Sequence, residues 1–146
     1  MATFVINTDG GARGNPGSAG AGIVIADSTG KVLEEFSKEL GTATNNQAEY
    51  WALIFALERV QSLIAQHGDA GVSVAVRMDS ELIVRQLTGQ YKVKNPGLQS
   101  LYDRAAGLVA ALGGTVVTFQ HVPRRENKRA DELANEAMDR VQAAVL

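Results

Sequence analysis

The 146 residues are 45% hydrophobic, enough to bury the core of one domain, and no stretch is polar enough to suggest long disorder. Cys is absent, which excludes disulfides and thiolate metal sites, and neither an apolar run of about 18 residues nor a signal peptide in residues 1–9 is present, so a cytoplasmic protein with no membrane partner is expected. The net charge of −2 hides a local bias, because His121 to Arg129 holds Arg124, Arg125, Lys128 and Arg129 against Glu126 alone, and Lys92 and Lys94 make a second basic point.

Thr3 to Asp9 is β-branched and bounded by glycine, which predicts a strand, and Gly10 to Ser18 (GGARGNPGS) reads as a loop. Gly22 to Asp27 and Lys31 to Leu40 predict two more strands joined by Ser28-Thr29-Gly30; turns so short make the three strands antiparallel. Thr44-Asn45-Asn46 offers capping side chains before a helix, with Glu49 shortly after. Glu49, Ala52, Leu53, Ala56, Leu57, Val60, Leu63 and Ile64 then follow helical spacing, with Gly68 as the stop. Val72 to Met78 reads as a strand, Asp79 to Leu87 as a short helix, and Tyr91 to Asn95 as a connector. A helix follows Pro96 as far as Gly113-Gly114, then a strand from Thr115 to His121 and a last helix from about Asn127. Strands separated by helices pair in parallel through right-handed crossovers, so strands one, four and five form a parallel half-sheet with an antiparallel wing. The expectation is an α/β fold, a five-stranded mixed sheet flanked by helices, as one domain over residues 1–146.

Four acids stand out. Asp9 ends the first predicted strand and Asp79 the fourth, and open α/β sheets gather ligands at the carboxyl ends of their strands. Each could instead be a simple turn or helix cap. Glu49 lies on the stripe of its helix that faces the core, where an unpartnered Glu is almost never found; a place in the first turn would explain its charge but not its direction. Asp131 precedes Ala134 and Met138 by three and seven residues and so shares their inward stripe. Four crowded carboxylates would raise one another's pKa unless a cation sat among them. All-oxygen ligands select Mg²⁺ or Mn²⁺ over Zn²⁺, and two such ions about 4 Å apart could clamp a phosphodiester.

Thr8-Asp9-Gly10-Gly11 with Gly14-Asn15-Pro16-Gly17, Thr44-Asn45-Asn46-Gln47-Ala48-Glu49, Met78-Asp79-Ser80, and Asn127-Lys128-Arg129-Ala130-Asp131-Glu132-Leu133-Ala134 resemble, in order and spacing, ribonuclease H of type 1 (the ribonuclease HI family). The similarity runs from about residue 3 to residue 140 and includes the order of predicted elements. The resemblance implies a ribonuclease H-like fold and an endonuclease acting on the RNA strand of RNA–DNA hybrids. It implies catalytic carboxylates at Asp9, Glu49, Asp79 and Asp131 holding two Mg²⁺ ions, with in-line attack of water that leaves 5′-phosphate and 3′-hydroxyl ends. His121, ten residues before Asp131, matches a family histidine in the loop over the site, thought to help product leave or to shuttle protons. Only the 2′-hydroxyl separates RNA from DNA, and the positions matching those that read it are Gly10, Gly11, Asn15, Asn45, Asn46 and Glu49. Thr44 matches a residue that grips a DNA-strand phosphate, and Tyr91 one that lies against a deoxyribose.

The resemblance is to the form without the long basic protrusion, since only Thr88 to Asn95 fills the gap where several bacterial members carry a basic helix and loop. Fewer neutralised phosphates imply weaker, more salt-sensitive hybrid binding, with Lys92, Lys94, Arg124 and Arg125 as partial replacements. An inactive hybrid-binding protein of the same fold, or an enzyme for another structured nucleic acid, are the competing expectations; the four acids argue against the first. No interface stripe appears, so a monomer is the default, and residues after Arg140 read equally as helix or frayed tail.

Overall fold

Phe4, Ile6 and Thr8 turn inward on alternate residues, the period of a strand. In the computed structural model, which describes residues 3–67 and 71–144, that strand, β1, runs from Phe4 to Gly14. β2 (Gly17–Asp27) and β3 (Val32–Ala43) follow it as an antiparallel meander. Asp27 closes the turn between them, its carboxylate accepting from the Thr29 and Lys31 amides, while Gly30 takes φ of 89°. Then come α1 (Asn45–His67), β4 (Ser73–Met78), α2 (Glu81–Leu87), α3 (Pro96–Ala111), β5 (Val116–His121), a short 3₁₀ turn at Arg124–Glu126 and α4 (Lys128–Ala144).

The sheet order is β3-β2-β1-β4-β5, with β4 parallel to both β1 and β5. This is the expected five-stranded mixed sheet. The α1 face of the sheet holds the main core, where Ile6, Ile23, Ile25, Leu53, Leu57, Val74 and Val76 are sealed from solvent. On the opposite face α4 packs over β2, burying Val24 against Ala130 and Leu133.

The expected loop at Gly10 to Ser18 is corrected: β1 and β2 run on as a hairpin whose only break is Asn15-Pro16. Gly10, expected in the loop, and Gly22, expected to start a strand, are both contact points for helices. A Cβ on Gly10 would stand 2.2 Å from the Ala48 carbonyl oxygen in α1, and one on Gly22 would stand 2.1 Å from that of Ala130 in α4. Glycine in these strands marks close backbone approach. β3 likewise continues to Ala43, three residues beyond its expected end.

Thr44 caps α1 through a reciprocal pair: its hydroxyl accepts from the Gln47 amide at 3.2 Å, and Gln47 Oε1 accepts from the Thr44 amide at 2.9 Å. Glu49 takes no part in the cap. α2 starts two residues later than expected, behind Ser80 as N-cap, and α3 starts at Pro96 behind Asn95. The helix stop expected at Gly68 lies outside the described residues. α4 extends through Ala144, so residues 141–144 are helical. Among the described residues, no helix is long and apolar enough to cross a membrane.

Candidate active site

Parallel pairing between β1 and β4 ends at Thr8 and Met78, and the residue that follows each in the chain is an acid. Asp9 and Asp79 therefore stand side by side where the two strands stop sharing hydrogen bonds. Asp9 is not at the end of its strand, as expected, but inside the β1–β2 ladder opposite Gly22. Glu49 approaches from α1, buried to 5% exposure, and its Oε1 accepts the Gly10 amide at 2.5 Å. No acid occupies the first turn of α1, so the helix dipole does not account for Glu49, and its inward direction is the feature to explain.

Carboxylate oxygens of Asp9, Glu49 and Asp79 lie within 4.8 Å of one another. Asp131, in the first turn of α4, stands outside that trio but lines the same cleft, close enough to help raise the Asp9 pKa. The cleft, about 620 Å³, is walled by these four acids, by Gly10 to Arg13 and by Asn45 and Asn46.

Burial, then the charges of Glu49 and Asp79, push the Asp9 pKa well up from its ordinary value. Glu49 is also raised, first by burial and then by Asp79, while the Gly10 amide and the Arg124 guanidinium pull the other way. Such a cluster of negative groups is costly to ionise and gains from a cation among them. The donor set fits one hard divalent ion or two: every candidate ligand is a carboxylate oxygen, without sulfur or imidazole.

Several expected binding residues support the rim. Asn15 Oδ1 accepts the Asn45 amide at 2.9 Å, and Asn45 Oδ1 accepts the Ala12 amide at 2.8 Å, so the β1–β2 hairpin and the start of α1 fix each other beside the cleft. With its oxygen committed, the Asn45 side chain is oriented to present its amide nitrogen. Gly11 sits under Met138, and Thr44 is engaged as the α1 cap.

Two expected residues lie elsewhere. His121 is the last residue of β5, beside Met78, exposed, and lines a small hollow with Glu81, Arg85, Thr88 and Gln90 rather than the acidic cleft. Tyr91 is 48% exposed, packs its ring near the Arg85 guanidinium, and borders a separate hollow with Lys92 and Tyr102. Conversely, Arg13, Ser80, Arg124 and Asn135 line the cleft without having been singled out as site residues. Arg124, seven residues before Asp131, was expected only as one of four basic residues that replace lost phosphate contacts, not as a wall of the acidic cleft.

Known proteins resemble this chain in sequence and in fold. Residues 7–137 match the family model described as reverse transcriptase-like. The bifunctional protein Rv2228c of Mycobacterium tuberculosis is 45% identical over 137 residues, 92% of this chain; the chain spans only 35% of that relative's length. A ribonuclease H of Paracidovorax citrulli is 36% identical over 152 residues, covering 96% of this chain and 97% of that protein. Among solved structures, LC11-RNase H1 in complex with an RNA/DNA hybrid matches with a TM-score of 0.88 at 48% identity, over 95% of this chain and 99% of that one. With a relative matched along nearly its whole length and a shared fold at high identity, the chain belongs to the ribonuclease H family, type 1.

Proposed function

We propose that this chain is an endonuclease that hydrolyses the RNA strand of RNA–DNA hybrids with the help of two divalent cations, Mg²⁺ in the first place and Mn²⁺ as the alternative. The observation that carries this reading is the convergence of Asp9, Glu49 and Asp79 oxygens within 4.8 Å, with Asp131 at the edge of the same cleft. Support for the substrate comes from LC11-RNase H1, whose structure was solved with an RNA/DNA hybrid bound. Bound there, the two ions would lower the cost of negative charge developing on the attacking and leaving oxygens.

The chain's own residues supply position. Asp9, Glu49, Asp79 and Asp131 hold the cations. The Gly10 and Gly11 main chain and the side chains of Asn45 and Asn46 border the cleft where a ribose 2′-hydroxyl would be read, and Asn15 braces Asn45 from outside it. Water adds to the phosphorus as the bond to the 3′-oxygen breaks; that oxygen takes a proton from the water and leaves as a 3′-hydroxyl, and the phosphate stays on the 5′-oxygen of the downstream fragment. Arg124, on the cleft wall, offers a positive group to the incoming phosphate. His121 and Tyr91, outside the cleft, are assigned to product release and to the DNA strand, and Thr44 to a DNA phosphate. The protein acts as one domain and as a monomer in this reading.

The test is cleavage of end-labelled hybrid, duplex RNA and duplex DNA, with Mg²⁺ and with chelator. The expected result is metal-dependent cutting of the hybrid's RNA strand alone, leaving 5′-phosphate ends. Asp79→Asn removes a charge and barely changes shape, so it should fold normally and lose at least about a hundredfold in rate, the worth of several kcal/mol. Cutting that persists in chelator, or at full rate in Asp79→Asn, would reject the reading.

A further inference from the structure

Asn127 immediately precedes α4, where an Asn side chain ordinarily caps the helix by accepting one of its first free amides. Here the side chain goes elsewhere. Asn127 is 1% exposed, and its Nδ2 donates to the Thr8 carbonyl of β1 at 2.8 Å across 119 positions of sequence. Its Oδ1 accepts from Asn7 Nδ2 at 3.0 Å, and the same Asn7 nitrogen donates to the Glu126 carbonyl at 3.2 Å. The Asn127 main-chain carbonyl accepts the Asp131 amide at 3.0 Å.

The two anchoring points are significant. Thr8's carbonyl belongs to the peptide unit that leads into Asp9, and the Asp131 amide belongs to the residue carrying the fourth acid. One side chain and its own carbonyl thus join the backbones of two acids that come from opposite ends of the chain. β1 is held by the sheet and α4 is packed on β2 from Ala130 onward, while the Arg124–Glu126 turn and the residue before α4 meet β1 through Asn7 and Asn127. Without a tie at this corner, the position of Asp131 against Asp9 would rest on the packing of α4 over β2 and on the exposed Arg129–Glu35 pair.

We propose that Asn127 is a positioning residue that sets the separation of Asp9 and Asp131, with Asn7 as its brace, so that the cleft's cation affinity depends on this latch. The inference rests on the metal-dependent reading above. Groups that orient ligands without touching the metal contribute about 10–100-fold in affinity or activity, and that is the scale to be expected here.

The experiment measures Mn²⁺ binding by calorimetry, without nucleic acid, for the wild-type chain, Asn127→Ala and Asn7→Ala, alongside Tm, kcat and hybrid KM. Asn127→Ala is expected to bind Mn²⁺ about tenfold or more weakly and to lose kcat, with hybrid KM within about twofold of wild type. Asn7→Ala should move the same way by less, and carries the test if Asn127→Ala fails to fold. A folded variant with a lower Tm but wild-type Mn²⁺ affinity would overturn the latch alone. A wild-type chain that does not bind Mn²⁺ would overturn the metal reading and the latch with it.

Discussion

Asp9 and Glu49 are raised for the same two reasons, burial and crowding by like charge, and both consequences can be measured without substrate. Their folded pKa values lie above those of an unfolded chain. Between the ordinary carboxyl range near pH 4 and those raised values, the folded state therefore binds more protons than the unfolded one, and stability falls as pH rises. Asp27 and Glu35 are lowered by hydrogen bonds from Thr29 and Arg129, so their contribution is lost only on going below that range. The metal-free Tm should thus drop from pH 5 to pH 8, and Mg²⁺ should restore it at pH 8. Asp9→Asn should flatten the slope and stabilise the metal-free protein at pH 8 by about 1–3 kcal/mol, the worth of one or two pKa units. A metal-free Tm that is level across this window would contradict the crowding argument. The acids themselves were legible because an inward Glu on an apolar stripe has no ordinary explanation. Asn127 was not: a polar residue before a helix reads as a cap, and only coordinates show its amide spent on β1.

At the scale of elements, the helices and strand order followed from periodicity, and the errors gathered where glycine stands in a strand. Gly10 reads as loop, Gly22 as a strand start and Gly20 falls between the two, because glycine weakens strands. They are in strands because α1 and α4 cross the sheet too closely for side chains; a Cβ on Gly20 would meet the Ala137 Cβ at 2.6 Å. That packing is reinforced at the rim by Arg129 on Glu35 and Arg140 on Glu39, exposed pairs of small worth individually. The glycine argument separates two substitutions of the same kind. Gly22→Ala must displace α4 backbone and should cost about 1–3 kcal/mol. Gly107→Ala, in α3 with nothing within 4 Å of its Cβ, should stabilise by about 0.5–1 kcal/mol through helix propensity. Urea unfolding of both variants checks this; equal effects would mean that close approach is not what requires glycine in β2.

For the whole molecule, chain connectivity and function meet at one corner of the sheet. β1 and β4 run parallel only up to Thr8 and Met78, and the acids that follow are joined there by α1 from one face and α4 from the other. Neither face alone could gather four carboxylates. Arg124 on the cleft wall sets a positive group against the acids there, so the net charge of −2 does not describe the local field. The decisive observation is where divalent ions bind when an uncleavable hybrid is present. Anomalous diffraction from crystals grown with Mn²⁺ should show two peaks about 4 Å apart among Asp9, Glu49, Asp79 and Asp131, beneath an RNA phosphate. An empty cleft, or Mn²⁺ bound only elsewhere, would contradict the account.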